Sequence, residues 1–180
     1  MTTFTLRPVD PVADGPTLHA WVTHPKSHFW QMADCDVEQV QQAYAEIRDN
    51  PSHEAFLGLF DGDPAFLVER YDPAGDPVGK AYAVQHGDVG MHVLVAPTDT
   101  PVPGFTREVF ATIMDWLFED PAVARVVVEP DADNHAVHAL NAWAGFSVRE
   151  RVSLPDKDAL LSFCTRADHS ASAARRGAAA

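Results

Sequence analysis

Positive charge is scarce in this sequence. Its 180 residues hold 13 Lys and Arg against 26 Asp and Glu, a formal net charge of −13 with histidine counted neutral. A surface of that sign repels phosphate backbones and anionic lipid heads, which argues against nucleic-acid and membrane-surface roles. It attracts a small cation such as a diamine. Cysteine is scarcer still: Cys35 and Cys164 are too few for a disulfide scaffold and have no metal-ligand spacing. No apolar run approaches the length of a membrane span, and Met1-Thr2-Thr3-Phe4-Thr5-Leu6-Arg7 lacks a charged-then-apolar leader. Repeats and linkers are missing too. The expectation is a cytoplasmic protein with one domain over residues 1–166 and a disordered, frayed tail over 167–180, where no large apolar side chain is available for burial.

What is present is globular. Hydrophobic residues make up 46 % of the chain and charged residues 22 %, enough to build a core at this length. Phe4 to Arg7 reads as a strand and Leu18 to Val22 as a short helix. Asp36 followed by Gln39 is a capping-box pattern that opens a helix running to Asn50-Pro51. Strands are expected at Ala55–Phe60 and Pro64–Tyr71, joined through Asp61-Gly62-Asp63, then at Lys80–Gln85 and Val89–Ala96. Phe105–Phe118 is an amphipathic helix, Val123–Val128 a buried strand, and Asn134–Ala144 a helix stopping at Gly145. Val148–Leu154 and Asp158–Thr165 form a terminal strand pair. Hairpin strands followed by strand, helix and strand imply an α/β (α+β) fold with a single mixed, mostly antiparallel central sheet flanked by helices.

Four segments have chemical potential. The strand ending at Ala96 enters a Pro-rich loop that opens a helix at Gly104, Phe105, Thr106 and Arg107. Backbone N–H groups and a positive helix end gather there, as a pyrophosphate requires, although an ordinary strand-to-helix loop has the same outline. His92 stands mid-strand in Gly87-Asp88-Val89-Gly90-Met91-His92, either as a satisfied structural histidine or as a general base with its titration near working pH. In Glu129-Pro130-Asp131-Ala132-Asp133-Asn134, a strand ends in acids ahead of a helix, so Asp133 or Asn134 is a candidate N-cap and Asp131 a candidate cleft carboxylate. A metal set of Asp131, Asp133, His135 and His138 can be drawn, but no known spacing supports it, and no metal is expected. His28, Phe29 and Trp30 either close over a ligand or cover the core edge.

Taken in order, His28-Phe29-Trp30-Gln31-Met32, Glu69-Arg70-Tyr71-Asp72-Pro73, Gly87 through Leu94, Gly104-Phe105-Thr106-Arg107, Glu129 through Asn134 and Leu140-Asn141-Ala142-Trp143-Ala144-Gly145-Phe146 resemble the GNAT N-acetyltransferase superfamily. Within it they resemble the branch that builds hydroxamate siderophores. The resemblance implies an acyl-CoA donor, acetyl-CoA or succinyl-CoA, lying where the strands ending near Ala96 and Glu129 part. Val93, Leu94, Val95, Gly104, Phe105, Thr106, Arg107 and Asn134 are the implied donor contacts. Asp99-Thr100-Pro101-Val102-Pro103-Gly104 retains only the last glycine of the family's pyrophosphate loop.

His92 and Asp131 fall where that branch has its acid–base pair, with His92 as base and Asp131 orienting it. The implied acceptor is the hydroxylamine nitrogen of an N-hydroxylated diamine, N-hydroxycadaverine. Its distal ammonium would be held by Glu69, Asp88 or Asp133, with His28 and Trp30 lining the pocket. N6-hydroxylysine and a plain small amine are the alternative acceptors. The expected partners are these small molecules alone, without nucleic acid or membrane, for a monomer or weak homodimer.

Overall fold

The computed structural model describes residues 3–178. Seven strands form one mixed, mostly antiparallel sheet in the order β1-β2-β3-β4-β5-β7-β6. The chain divides into two compact units, one running up to Arg70 and including His92–Val102, the other comprising Tyr71–Met91 and the chain from Pro103 on.

In the first unit, β1 (Phe4–Pro8) pairs antiparallel with β2 (His53–Phe60), from Phe4 opposite Phe60 to Pro8 opposite Phe56. β2 turns into β3 (Asp63–Tyr71) through Asp61 and Gly62, both with positive φ (52° and 93°). Two consecutive left-handed residues match the right-handed twist of a hairpin, which is why Asp-Gly is favoured there. Helix α1 (Gly15–Val22) starts three residues earlier than expected, with a proline in its first turn. Helix α2 (Val37–Asp49) has the expected reciprocal cap: Asp36 accepts from the Gln39 N–H and the Gln39 side chain accepts from the Asp36 N–H. Leu18, Val22, Val40, Tyr44, Leu57 and Leu67 form the buried core here, with Trp30 and Leu94 packed against it.

The second unit departs from expectation first at Lys80–Gln85, which is not a strand. The chain instead makes two short 3₁₀ turns, Pro73–Gly75 and Pro77–Lys80. Asp72 and Asp76 each accept the N–H two residues on, and a proline fixes φ just inside each turn, so local capping prevails over weak strand alternation. A Cβ at Gly79 would come within 2.1 Å of the Pro73 carbonyl oxygen, which keeps this segment folded on itself. Three strands rather than four therefore lie between α2 and α3.

Strand β4 (Asp88–Val95) pairs parallel with β5 (Arg125–Val128) over Asp88–Gly90 only. β5 pairs antiparallel with β7 (Asp158–Thr165), which in turn pairs with β6 (Ser147–Ser153) across a bulge between Val148 and Glu150. Helix α3 (Phe105–Glu119) buries Val109, Phe110, Ile113, Met114, Leu117 and Phe118. Helix α4 (His135–Ala144) ends at Gly145 in the left-handed conformation, as the sequence predicts.

The tail expected to be disordered over 167–180 is helical where it is described: α5 (Arg166–Ala171) and α6 (Ala173–Ala178) follow β7, and residues 179–180 lie outside the described residues. Polar anchors replace the missing large apolar ones. Thr165 and Asp168 cap α5 reciprocally, and buried His169 donates to Asp115 of α3 (2.8 Å) while stacking on Phe118. Arg166 donates to the carbonyls of Phe118, Asp120 and Val123 at the exit of α3, satisfying groups a helix end leaves without partners.

Asp88 is a buried charge where β4 meets β5. Arg125 donates to both of its oxygens (2.8 and 2.7 Å), and Tyr82 Oη–H and the Gln85 N–H add two further donors. Burial alone would raise this carboxyl, but the donors hold it below its ordinary value. Asp88→Asn keeps the shape and strands the Arg125 charge, so urea unfolding is expected to show a loss of about 3–5 kcal/mol. A midpoint within experimental error of wild type would contradict this structural role.

Candidate active site

The first unit gathers its ionisable chemistry around one carboxylate. Glu69 lies late in β3, at the end of the run Phe66-Leu67-Val68-Glu69, and is only 6 % exposed. Its Oε1 accepts from the Tyr44 hydroxyl of α2 at 3.1 Å. Its Oε2 lies 3.1 Å from His92 Nδ1 on β4 and 3.3 Å from His53 Nε2 at the start of β2. Four elements thus converge on one side chain. Burial by itself would push the Glu69 carboxyl up, yet His53 and His92 beside it prevail and bring it from 4.5 down to about 2. Glu69 is therefore an anion throughout the neutral range. The Tyr44 hydroxyl is held well above its ordinary value by burial first and by the neighbouring Glu69 charge second, so it remains a proton donor to Glu69.

An anion at Nδ1 determines what His92 can do. The proton of the neutral ring sits on Nδ1 and points at Glu69, placing the lone pair on Nε2. Glu69 also stabilises the imidazolium that forms when Nε2 takes a proton. This is the logic by which a buried acid orients a catalytic histidine. Trp30 stands beside the group, its ring edge-on to His92 (centroids 6.3 Å apart, 81°).

Several sequence expectations change roles here. The carboxylate at His92 Nδ1 is Glu69 rather than the expected Asp131. Asp131 accepts the Asp133 N–H on Oδ1 and, through its backbone oxygen, a bond from His138, shaping the turn into α4. Of the three acids expected to meet a substrate ammonium, Glu69 is engaged by Tyr44, His53 and His92, and Asp88 by Arg125. Asp133 is the exposed one. Asn134 caps α4 by accepting the Val137 N–H. His28 is exposed beside Phe29, on a 3₁₀ turn over Pro25–Trp30. Among the described residues no group of three His, Cys, Asp or Glu side chains is arranged to hold a metal ion, so the Asp131, Asp133, His135 and His138 set does not assemble one.

Sequence reasoning missed Tyr44 and His53, which lie 25 and 16 residues from Glu69 and share no motif with it. The available signal was the carboxylate itself, because an acid closing an apolar strand run must find partners or neutralise.

The expected donor contacts occupy two places. Val93, Leu94 and Val95 form the second half of β4 in the first unit, with the Ala96 N–H donating to Ala65 just beyond them. Gly104, Phe105, Thr106 and Arg107 open α3 in the second unit. Gly104 caps that helix with φ 86°, its first turn has no side-chain cap among the described residues, and a Cβ on Gly104 would meet nothing within 4 Å. Arg107 lies over Trp143, 5.3 Å from the ring centroid. Uncapped N–H groups at a helix start suit a phosphate.

The Glu69 assignment has a pH signature. The folded carboxyl titrates at about 2 against 4.5 ordinarily, so on acidification the unfolded chain takes up the proton first. The stability this group contributes is complete above the unfolded value and drains away as pH falls towards the folded one. Glu69→Gln removes that part of the slope, so the gap in urea midpoint between wild type and variant should be wide at about pH 6 and narrow by about pH 3. Equal gaps at both would contradict it.

Comparison with known proteins bears on the whole arrangement. The family model described as an acetyltransferase (GNAT) domain matches residues 10–154. The chain is 29 % identical over 164 residues to the N(6)-hydroxylysine O-acetyltransferase of Escherichia coli, covering 89 % of this chain and 51 % of that protein. It is 28 % identical over 144 residues to the lysine N-acyltransferase MbtK of Mycobacterium sp. (strain MCS), covering 79 % and 59 %. The chain thus spans little more than half the length of these relatives. Among solved structures, AAC(6')-Ib in complex with paromomycin and acetyl-CoA superposes with a TM-score of 0.82 at 22 % identity over 92 % of this chain and 95 % of that one, a likeness of fold. With a family model matching most of its length, this chain belongs to the GNAT acetyltransferase family.

Proposed function

We propose that this chain is an acyl-CoA-dependent N-acyltransferase that acylates the hydroxylamine nitrogen of an N-hydroxylated diamine, with N-hydroxycadaverine as the acceptor and a hydroxamate as the product. The observation that carries this reading is the His92–Glu69 pair, a histidine held by a buried anion with its neutral-ring lone pair on Nε2. A hydroxylamine nitrogen is far less basic than an alkyl amine and reaches the site neutral, so the protein needs only a modest base.

In the proposed reaction the nitrogen attacks the thioester carbonyl. The N–C bond forms, the C–S bond breaks, the nitrogen's proton passes to His92 Nε2, and the thiolate leaves and is protonated to free thiol. The N–H groups of Val93–Val95 would polarise the carbonyl. Acetyl-CoA and succinyl-CoA are the donors this reading admits, with the reaction run in the cytoplasm. Support for the diamine comes from the exposed Asp133 and the net charge of −13. A second reading, N6-hydroxylysine as acceptor, is favoured by the name of the Escherichia coli relative.

The test is thiol release from acetyl-CoA and succinyl-CoA, offered with N-hydroxycadaverine, N6-hydroxylysine and cadaverine in parallel. The proposal expects turnover with N-hydroxycadaverine well above that with cadaverine, and a loss of about 10²–10⁴-fold in His92→Ala. Preference for N6-hydroxylysine would select the second reading. Turnover with cadaverine alone, or a fully active His92→Ala, would overturn the assignment.

A further inference from the structure

Two imidazoles face Glu69 Oε2, and the proposed reaction uses one of them. His92 Nδ1 lies 3.1 Å from this oxygen and His53 Nε2 3.3 Å, while Oε1 takes the Tyr44 hydroxyl. The His92 contact is aligned as a hydrogen bond. His53 Nε2 is not, and acts on the oxygen through charge and proximity. The rings also differ in access: the His92 side chain is 33 % exposed and that of His53 19 %. His53 is fixed by its own stretch of chain. It opens β2 directly after the α2 exit turn, where Asn50 Oδ1 accepts the Ser52 N–H and hydroxyl (3.0 and 2.9 Å) and the Asn50 carbonyl accepts the His53 N–H (3.2 Å). Helix α2 and its exit turn thus bring one group to each oxygen of the carboxylate.

We propose that His53 is a positioning residue that acts on His92 through the shared Glu69 oxygen, weakening the carboxylate's hold on the His92 imidazolium and keeping that ring in its base form. This rests on the reading of His92 as the base. A lone pair turned towards an anion is repelled, so the His53 edge at Oε2 carries its proton whether the ring is neutral or charged. That positive edge and the His92 Nδ1 proton compete for one oxygen. Each unit of Glu69 charge met from the His53 side is unavailable to an imidazolium at His92, and a charged His53 would repel that imidazolium as well. The better exposed ring therefore exchanges protons with substrate, and the more buried one sets how readily it does so. The titratable groups facing Glu69 in this unit are Tyr44 from α2, His53 from β2 and His92 from β4. Glu54 and Arg70, the chain neighbours of His53 and Glu69, pair with each other at 3.2 Å.

The test reads His92 directly. Its ring resonances, assigned by their loss in His92→Ala, are titrated by NMR in wild type, His53→Phe, His53→Gln and His53→Lys. His53→Phe keeps a flat ring and removes the positive edge, so the His92 midpoint is expected to rise by about half a pH unit or more. His53→Gln retains an amide N–H and should give a smaller rise, and His53→Lys, which restores a cation, should bring the midpoint back towards wild type. If His53→Phe does not fold, His53→Gln decides. A His92 midpoint unchanged or lowered in the folded neutral variants overturns the proposal, as does His53→Lys raising it as far as His53→Phe. In thiol-release assays the acidic limb of kcat/KM should move to higher pH in the neutral variants. A lower plateau with an unmoved limb would mark a purely structural histidine and contradict the proposal. Because the titration needs no turnover, an inactive wild-type protein would sink the acyltransferase reading while the link from His53 to His92 is still decided.

Discussion

The candidate site depends on keeping one carboxylate ionised inside a core. Removing Glu69 from water is costly, and an unpaired acid in that position would take up a proton. Tyr44 from α2, His53 from β2 and His92 from β4 meet that cost together. None of the three reaches Glu69 unless its own element is correctly placed, so the network acts as a constraint on how α2, β2, β3 and β4 assemble. In the proposed reaction the same constraint supplies the chemistry, since an anion fixed at Nδ1 gives His92 both its orientation and a stabilised charged form. The second unit repeats the principle at Asp88, where a bidentate arginine does for β4 and β5 what the histidines do for β3.

Much of this fold was legible because its signals are local. The Asp36 and Gln39 cap, the Asp61-Gly62 hairpin and the Gly145 helix stop each rest on chemistry within a few residues, and each is present. The misreadings have equally physical causes. Lys80–Gln85 alternates like a strand, but two aspartates and two prolines upstream commit the chain to tight turns. The tail has no large apolar side chain, and the bonds that order α5 run from Arg166 and His169 to residues more than 40 positions away.

The site was legible in part, for the same reason. His92 stood out mid-strand and Glu69 was expected to hold a substrate ammonium, yet their pairing spans 23 residues and is invisible as spacing. Asp131 was the expected partner because it ends a strand ahead of a helix. That position also makes it a natural turn former, which is what its bond from the Asp133 N–H shows. Trp30 read as a lid because aromatic residues in loops often are. Its edge-on contact with His92 is a tertiary fact that no window of sequence contains.

The central claim is that Glu69 works through His92 as an anion. The most direct test is the pH profile of kcat/KM for hydroxamate formation in wild type and Glu69→Gln, over a range where both proteins are folded. The account predicts a lower plateau in the variant and an acidic limb displaced to lower pH, because His92 loses the charge that stabilises its protonated form. A variant with the wild-type plateau and an unmoved limb would show that the carboxylate only holds the fold together.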